Sequence, residues 1–113
     1  MNNNKLSKQK KNRIKNDLLI QLESQNKIGH HYFDLINDYM QQIEIKELLE
    51  EDIVDTGLRR ITTSATGIVI EKSNESIVNL QKTISLMLKI LSELNLKEPI
   101  VDTKTNKDDD SYY

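Results

Sequence analysis

The chain contains no cysteine and no tryptophan, and only one proline, three glycines and five aromatic residues among 113. Without cysteine there are no disulfides and no thiolate metal sites, and the redox compartment goes unreported. With so little aromatic mass the core must come from Leu and Ile, which suits helix packing better than a β-sandwich. A length of 113 residues allows one domain with a modest core. No apolar run approaches the ~20 residues of a membrane span. The opening Met1-Asn-Asn-Asn-Lys5 lacks the apolar stretch of a secretory signal. The expectation is a soluble cytoplasmic protein with no membrane partner. There is no Gly-rich phosphate loop, no GxSxG turn and no Cys/His pair, so a non-enzymatic role without a cofactor is expected.

What is present is charge, and it is segregated. The net charge of −2 conceals a basic segment, residues 1–27, with seven basic and two acidic side chains. Residues 28–57 reverse this, with one basic and eight acidic. Residues 58–97 are basic again, six against three, and 98–113 are acidic, five against two. Charge distributed this way acts on a partner through local patches rather than through the net value.

Gly29, Gly57, Gly67 and Pro99 punctuate the chain, because both residue types are costly inside helices. Before Gly29, Ile14, Leu18 and Leu22 recur at i, i+4, with Leu19 alongside, and predict a helix over about 8–25. Residues 1–7 are polar and basic and read as a flexible end. A second helix is expected over about 30–56, ending at Gly57. Its apolar stripe changes phase. Tyr32, Ile36, Tyr39 and Ile43 share one side, and Ile45, Leu48, Leu49 and Ile53 continue on roughly the opposite one. Either the helix bends or its two ends meet different neighbours.

Residues 58–71 are short, β-branched runs around the turn-forming Ser64-Ala-Thr-Gly67, which predicts a small β-hairpin. A lone hairpin is marginal in water, so it should dock on something. Ser73 or Asn74 can cap a last helix over about 74–95, which opens with Glu75 near its positive end. Ile77, Leu80, Ile84, Met87, Leu91 and Leu94 follow 3,4 spacing and form a coiled-coil-like seam. Leu86, Leu88 and Ile90 widen the apolar surface beyond one stripe. Asn95 can adopt the left-handed conformation that ends the helix. Residues 98–113 read as a disordered acidic tail. The fold class is therefore mainly α: a long antiparallel helical hairpin with an extra N-terminal helix and a β-hairpin insertion. Its apolar faces are wider than one hairpin covers, so a homo-oligomer is expected.

Chemistry-bearing clusters are few. His30 and His31 are adjacent and point ~100° apart on a helix, so they do not chelate one metal together. Asp34 and Asp38 permit a carboxylate–histidine site on one face, against the plainer reading of a polar helix start. The acidic run Glu47–Asp52 reads as a solvated or charge-paired face. Lys5, Lys8, Lys10, Lys11, Arg13 and Lys15 form a basic cluster suited to phosphate contacts, whose affinity is salt-dependent and largely blind to sequence. The alternative is a solubilising end. Arg59 and Arg60 open the hairpin, either to meet phosphate or to pair with the acidic second helix.

Four stretches carry a family resemblance. Asp17-Leu-Leu-Ile-Gln-Leu-Glu23 and Gly29-His-His-Tyr-Phe-Asp-Leu-Ile-Asn-Asp-Tyr-Met40 resemble the amino-terminal half of a family of tailed-phage terminase small subunits. Lys72-Ser-Asn-Glu-Ser-Ile77 and Met87–Lys97 resemble its final helix. Leu94-Asn-Leu96 stands where many relatives have Leu-Gly-Leu. The resemblance spans about Asp17 to Pro99 and implies a ring-forming subunit without a helix-turn-helix head. Such a subunit binds double-stranded viral DNA to initiate packaging in the host cytoplasm. It also recruits or regulates the large subunit, which carries the ATPase and nuclease. The tail, Asp108–Asp110 with Tyr112 and Tyr113, is a candidate dock for that large subunit. Two other readings are kept: a small dimeric transcriptional regulator, and a coiled-coil scaffold without a DNA function.

Overall fold

The structure is a computed structural model that describes residues 5–99. Ser7 starts the first helix. Its hydroxyl accepts from the Lys10 N–H at 3.1 Å, and α1 runs Lys8–Ser24. Asn26 then turns left-handed (φ 60°). The Lys27 N–H reaches back to the Leu22 carbonyl and the Asn26 N–H to that of Glu23, the paired bonds of a Schellman motif. Helix α2 spans His30–Thr56 without a break and stops at Gly57, whose φ of 85° disfavours any residue with a Cβ. Strands β1 (Arg59–Thr63) and β2 (Val69–Ser73) form an antiparallel pair, and α3 (Glu75–Leu94) returns along α2. Asn95 ends α3 left-handed, with the Leu96 N–H on the Leu91 carbonyl. Both Leu96 and Leu91 are buried, the apolar contact that accompanies this motif.

The expected architecture is present: an antiparallel helical hairpin, an extra N-terminal helix and a β-hairpin. The second strand runs to Ser73, two residues past the expected end at Glu71, so β2 leads straight into the cap of α3.

The core lies at one end of the helical hairpin. Ile14, Leu18 and Leu22 of α1 meet Ile36, Tyr39 and Ile43 of α2 and Ile90, Leu91 and Leu94 of α3. Each such side chain contributes on the order of 1.5–3 kcal/mol through burial. Polar bonds tie α1 to the end of α3. Gln21 exchanges two hydrogen bonds with the Lys97 backbone, Gln25 donates to the Asn95 carbonyl, and Lys27 Nζ donates to the Leu94 carbonyl at 2.6 Å. A cation on the last carbonyls of a helix also opposes its dipole.

Two expectations are corrected here. The seam of α3 is displaced: Thr83 and Ile90 are buried with Leu91 and Leu94, Ile77, Leu80 and Met87 are half-buried, and Ile84 is 38% exposed. The reason is that α1 and α2 together cover the end of α3, which widens its buried face toward Ile90. Ile84 lies two turns before Leu91 on nearly the same side of α3, but it borders an open groove there and stays exposed. The N-terminal end is also less free than expected. Residues 1–4 lie outside the described residues, but the Leu6 N–H donates to Glu47 Oε2 at 2.6 Å and Ser7 caps α1. The tail expected over 98–113 lies outside the described residues, except for Glu98 and Pro99. Pro99 is buried.

The phase change of α2 resolves as a helix with different neighbours at its two ends. Ile36, Tyr39 and Ile43 face the junction with α1 and α3, and Asp52 and Thr56 take part in the base of the β-hairpin. Ile45, Leu49 and Ile53 are half-buried, and Leu48 stays exposed.

Candidate nucleic-acid interface

The β-hairpin is fastened at its base by a polar node. Asp52 on α2 accepts from Ser76 Oγ at 2.6 Å, from Thr56 Oγ1 at 3.2 Å and from Arg60 Nη2 at 3.0 and 3.3 Å. The Ser76 hydrogen bond, with those of Asn74 and Thr56 and the Arg60 charge, holds the Asp52 carboxyl below its usual pKa. Asn74, only 1% exposed, is the centre of the node. Its side-chain oxygen accepts from the Ser76 N–H to cap α3, and its Nδ2 donates to the Gly57 carbonyl. Its own N–H donates to the Leu58 carbonyl. One residue thus joins the end of α2, the start of the hairpin and the start of α3.

Beyond this node the ribbon stands free. All ten strand residues are exposed, so neither face is covered by the chain itself. The register places Arg59 opposite Ser73, Ile61 opposite Glu71 and Thr63 opposite Val69 on one face, and Arg60 opposite Lys72 and Thr62 opposite Ile70 on the other. Like charges directly opposed destabilise a strand pair, and the Asp52 carboxylate relieves this for Arg60 and Lys72. At the tip, the Gly67 N–H donates to the Ser64 carbonyl at 2.9 Å, with Gly67 at φ 89°. The ribbon edge is consequently rigid at its base and open at its tip.

The two arginines have separate roles. Arg60 is committed to Asp52, the pairing with the acidic helix that was one of the two expectations for it. Arg59 is exposed on the opposite face and makes no ion pair among the described residues.

The basic cluster at the N-terminus also divides. Lys11 lies on the core-facing side of α1, one turn before Ile14, and bonds Glu47 Oε1 at 2.7 Å and Glu44 Oε2 at 2.8 Å. Burial works against its charge, but the hydrogen bonds and charges of Glu44 and Glu47 outweigh it and raise the Lys11 pKa. Lys11 is therefore a tether within the chain, its ammonium taken up by two carboxylates. Lys5, Lys8 and Arg13 are exposed, and Lys10 and Lys15 are half-buried. At ~100° per residue they spread around α1 rather than forming one stripe, with Arg13 facing away from the core and Lys8, Lys10 and Lys15 on its flanks.

Tyr32, Ile36, Tyr39, Ile43, Leu91 and Leu94, expected to hold the hairpin or its neighbours, belong to the chain's own core or pack against it. Exposed apolar surface lies elsewhere. Ile20, Ile28 and Phe33 are exposed together around a shallow groove between α1 and α2, and Val78, Leu86 and Leu88 are exposed on α3. Exposed His30 and His31 do not join Asp34 or Asp38 in a site. Among the described residues no group of three or more His, Asp or Glu side chains is placed to hold a metal ion. Also among them, no helix is long and apolar enough to cross a membrane.

Sequence reasoning missed Glu47 as the anchor of α1. Its signal was available: Ile36, Tyr39, Ile43 and Glu47 keep 3,4 spacing, so the stripe continues into a carboxylate. A charge in phase with a core stripe asks for a buried partner. No family model, curated protein or solved structure matches the chain.

Proposed function

We propose that this chain is the small subunit of a phage terminase, an oligomeric adaptor that binds double-stranded viral DNA in the host cytoplasm. In this reading it initiates genome packaging and recruits or regulates the large ATPase/nuclease subunit. The observation that carries the DNA-binding part is the projecting two-stranded ribbon. It is exposed on both faces, fixed at its base by Asp52 and Asn74, and presents Arg59 and Lys72 on opposite sides. Two-stranded ribbons fit a DNA groove, and basic side chains on them gain affinity by releasing counterions. Exposed Lys8, with half-buried Lys10 and Lys15, supplies a second, diffuse contact. Self-assembly is supported by the apolar patch of Ile20, Ile28 and Phe33, which the chain does not cover. The family assignment rests on the resemblance of Asp17–Met40 and Lys72–Lys97.

Native mass spectrometry combined with DNA titration at several salt concentrations tests the reading. A ring-sized homo-oligomer with salt-dependent DNA affinity is expected. A stable monomer or dimer at micromolar concentration overturns the packaging role, and no DNA binding at low salt overturns the adaptor role.

A further inference from the structure

The outer side of α3 carries a cationic stripe. From Val78 to Lys89 the only charged side chains are Lys82 and Lys89, with no acid between them. Both lysines are exposed, and neither makes a hydrogen bond or ion pair among the described residues. At ~100° per residue, Val78, Lys82, Ser85 and Lys89 fall within about 60° of one another. Exposed Leu86 borders them, and buried Thr83, Ile90, Leu91 and Leu94 lie on the other side of the helix. Glu75 at the start of α3 and Glu93, one turn past Lys89, bound the stripe.

This stripe meets the ribbon at its base. Arg59 and its cross-strand neighbour Ser73 line one shallow cleft with Ile77 and Val78, beside Leu58 and Asn74. Arg59 is thus on the α3 side of the ribbon, and Lys82 follows Val78 by one turn. The opposite ribbon face turns to α2, where Arg60 is bound to Asp52. Exposed Glu51 and Asp55 flank Asp52 there. A phosphate on that side meets carboxylates, and on the α3 side it meets Arg59, Lys82 and Lys89. Farther out on the Arg59 face, Glu71 stands opposite Ile61, so the cation of that face is confined to the ribbon's base.

We propose that Arg59, Lys82 and Lys89 form one phosphate track for double-stranded DNA, with the outer side of α3 laid along the sugar–phosphate backbone. The track rests on the DNA-binding reading of the ribbon and adds α3 to that interface. Lys82 and Lys89 are about 10 Å apart along the helix. That is about three steps of the ~3.4 Å rise between successive phosphates of one strand, so both ammonium groups reach the same strand. Two copies packed stripe to stripe would set lysine against lysine, a like-charge contact that costs affinity, whereas a polyanion satisfies both.

DNA titration of the full-length protein at several salt concentrations tests the track. Lys82→Gln with Lys89→Gln is expected to lower the slope of log Kobs against log salt by about 2, at roughly 0.9 per phosphate, with the oligomer by native mass spectrometry unchanged. Glu93→Gln removes the acid beside Lys89 and is expected to tighten binding several-fold at low salt but not at high salt, a gain that misfolding cannot mimic. A parental slope in the lysine variant, with DNA still bound, overturns the track and spares the ribbon interface. So does a Glu93→Gln variant that binds no more tightly than the parent. A reduced slope that comes with a smaller oligomer also overturns it, because the stripe is then a contact between copies. Absence of salt-dependent binding in the parent overturns the DNA-binding reading itself, and the track with it.

Discussion

The Lys11 ammonium lies 2.7 Å from Glu47 Oε1 and 2.8 Å from Glu44 Oε2, while Glu47 Oε2 accepts the Leu6 N–H. The lysine side chain is 13% exposed and that of Glu47 7%, so the pair is largely withdrawn from water. This pairing takes one cation out of the basic cluster and uses it to seat α1 on α2.

Removing Lys11 should therefore act on stability and not on DNA. Lys11→Ala is expected to lower the unfolding free energy by about 1–3 kcal/mol, the range for deleting a charged hydrogen bond at a mostly buried site. Because the folded Lys11 pKa is raised, its contribution is complete below the ordinary lysine range and fades only as the pH rises through the raised value. Urea midpoints between pH 6 and 11 check both points. A variant as stable as the parent at neutral pH would remove the tether.

DNA affinity should follow the exposed cations instead. Every phosphate left without its cation is expected to reduce the slope of log Kobs against log salt by roughly 0.9. Arg59→Ala and Lys72→Ala together should lower the slope by about 2 if both meet phosphate. Replacing Lys8, Lys10 and Lys15 with Ala should lower it further, and Lys11→Ala should leave it unchanged. An unaltered slope in the Arg59/Lys72 variant would move the interface off the ribbon.

Asn74→Ala removes the cap of α3 and leaves the Gly57 carbonyl without its side-chain donor. The expected loss is about 1–3 kcal/mol, combining a cap with an unsatisfied buried group. Amide exchange of β1 and β2 should accelerate more than that of the core around Leu18 and Ile36. Uniform acceleration across the chain would show that the node does not hold the hairpin in particular.

The same node should be sensitive to acid. The folded Asp52 pKa is depressed, so its stabilising contribution is present above the ordinary carboxylate range and is lost as the pH falls through the depressed value. Hairpin amides in the parent should lose protection in that window, and Asp52→Asn should lack this step. An identical acid profile for parent and variant would assign the transition to other carboxylates.

Self-assembly has its own test. Ile28→Lys with Phe33→Glu places charge on the patch between α1 and α2 without entering the core. Native mass spectrometry is expected to show a shift to smaller species at unchanged helix content. Retention of the parent's oligomer would direct attention to Val78 and Leu86 on α3.

Local rules were enough for the elements. The i, i+4 leucines of α1, the glycine stop of α2, the Ser64–Gly67 turn, the Asn74 cap and the left-handed Asn95 each act over a few residues. Their outcome is therefore written in sequence. Of the cations on the ribbon, Arg59 was legible as a residue, whereas Lys72 lies past the expected end of the hairpin at Glu71 and joins it only because β2 runs to Ser73. What the sequence left open was which charges remain available to a partner. Lys11 and Lys8 look alike in a basic run, and Arg59 and Arg60 are neighbours. Only the packing of α1 against α2 puts Glu44 and Glu47 around Lys11, and only the seating of the hairpin puts Asp52 beside Arg60. The displacement of the α3 seam toward Ile90 is of the same kind, because two helices cover its end at once and periodicity records one face at a time. Short-range geometry determined the helices and the turn. Contacts between residues 8 to 36 positions apart decided which of these cations are tethers within the chain and which stay exposed.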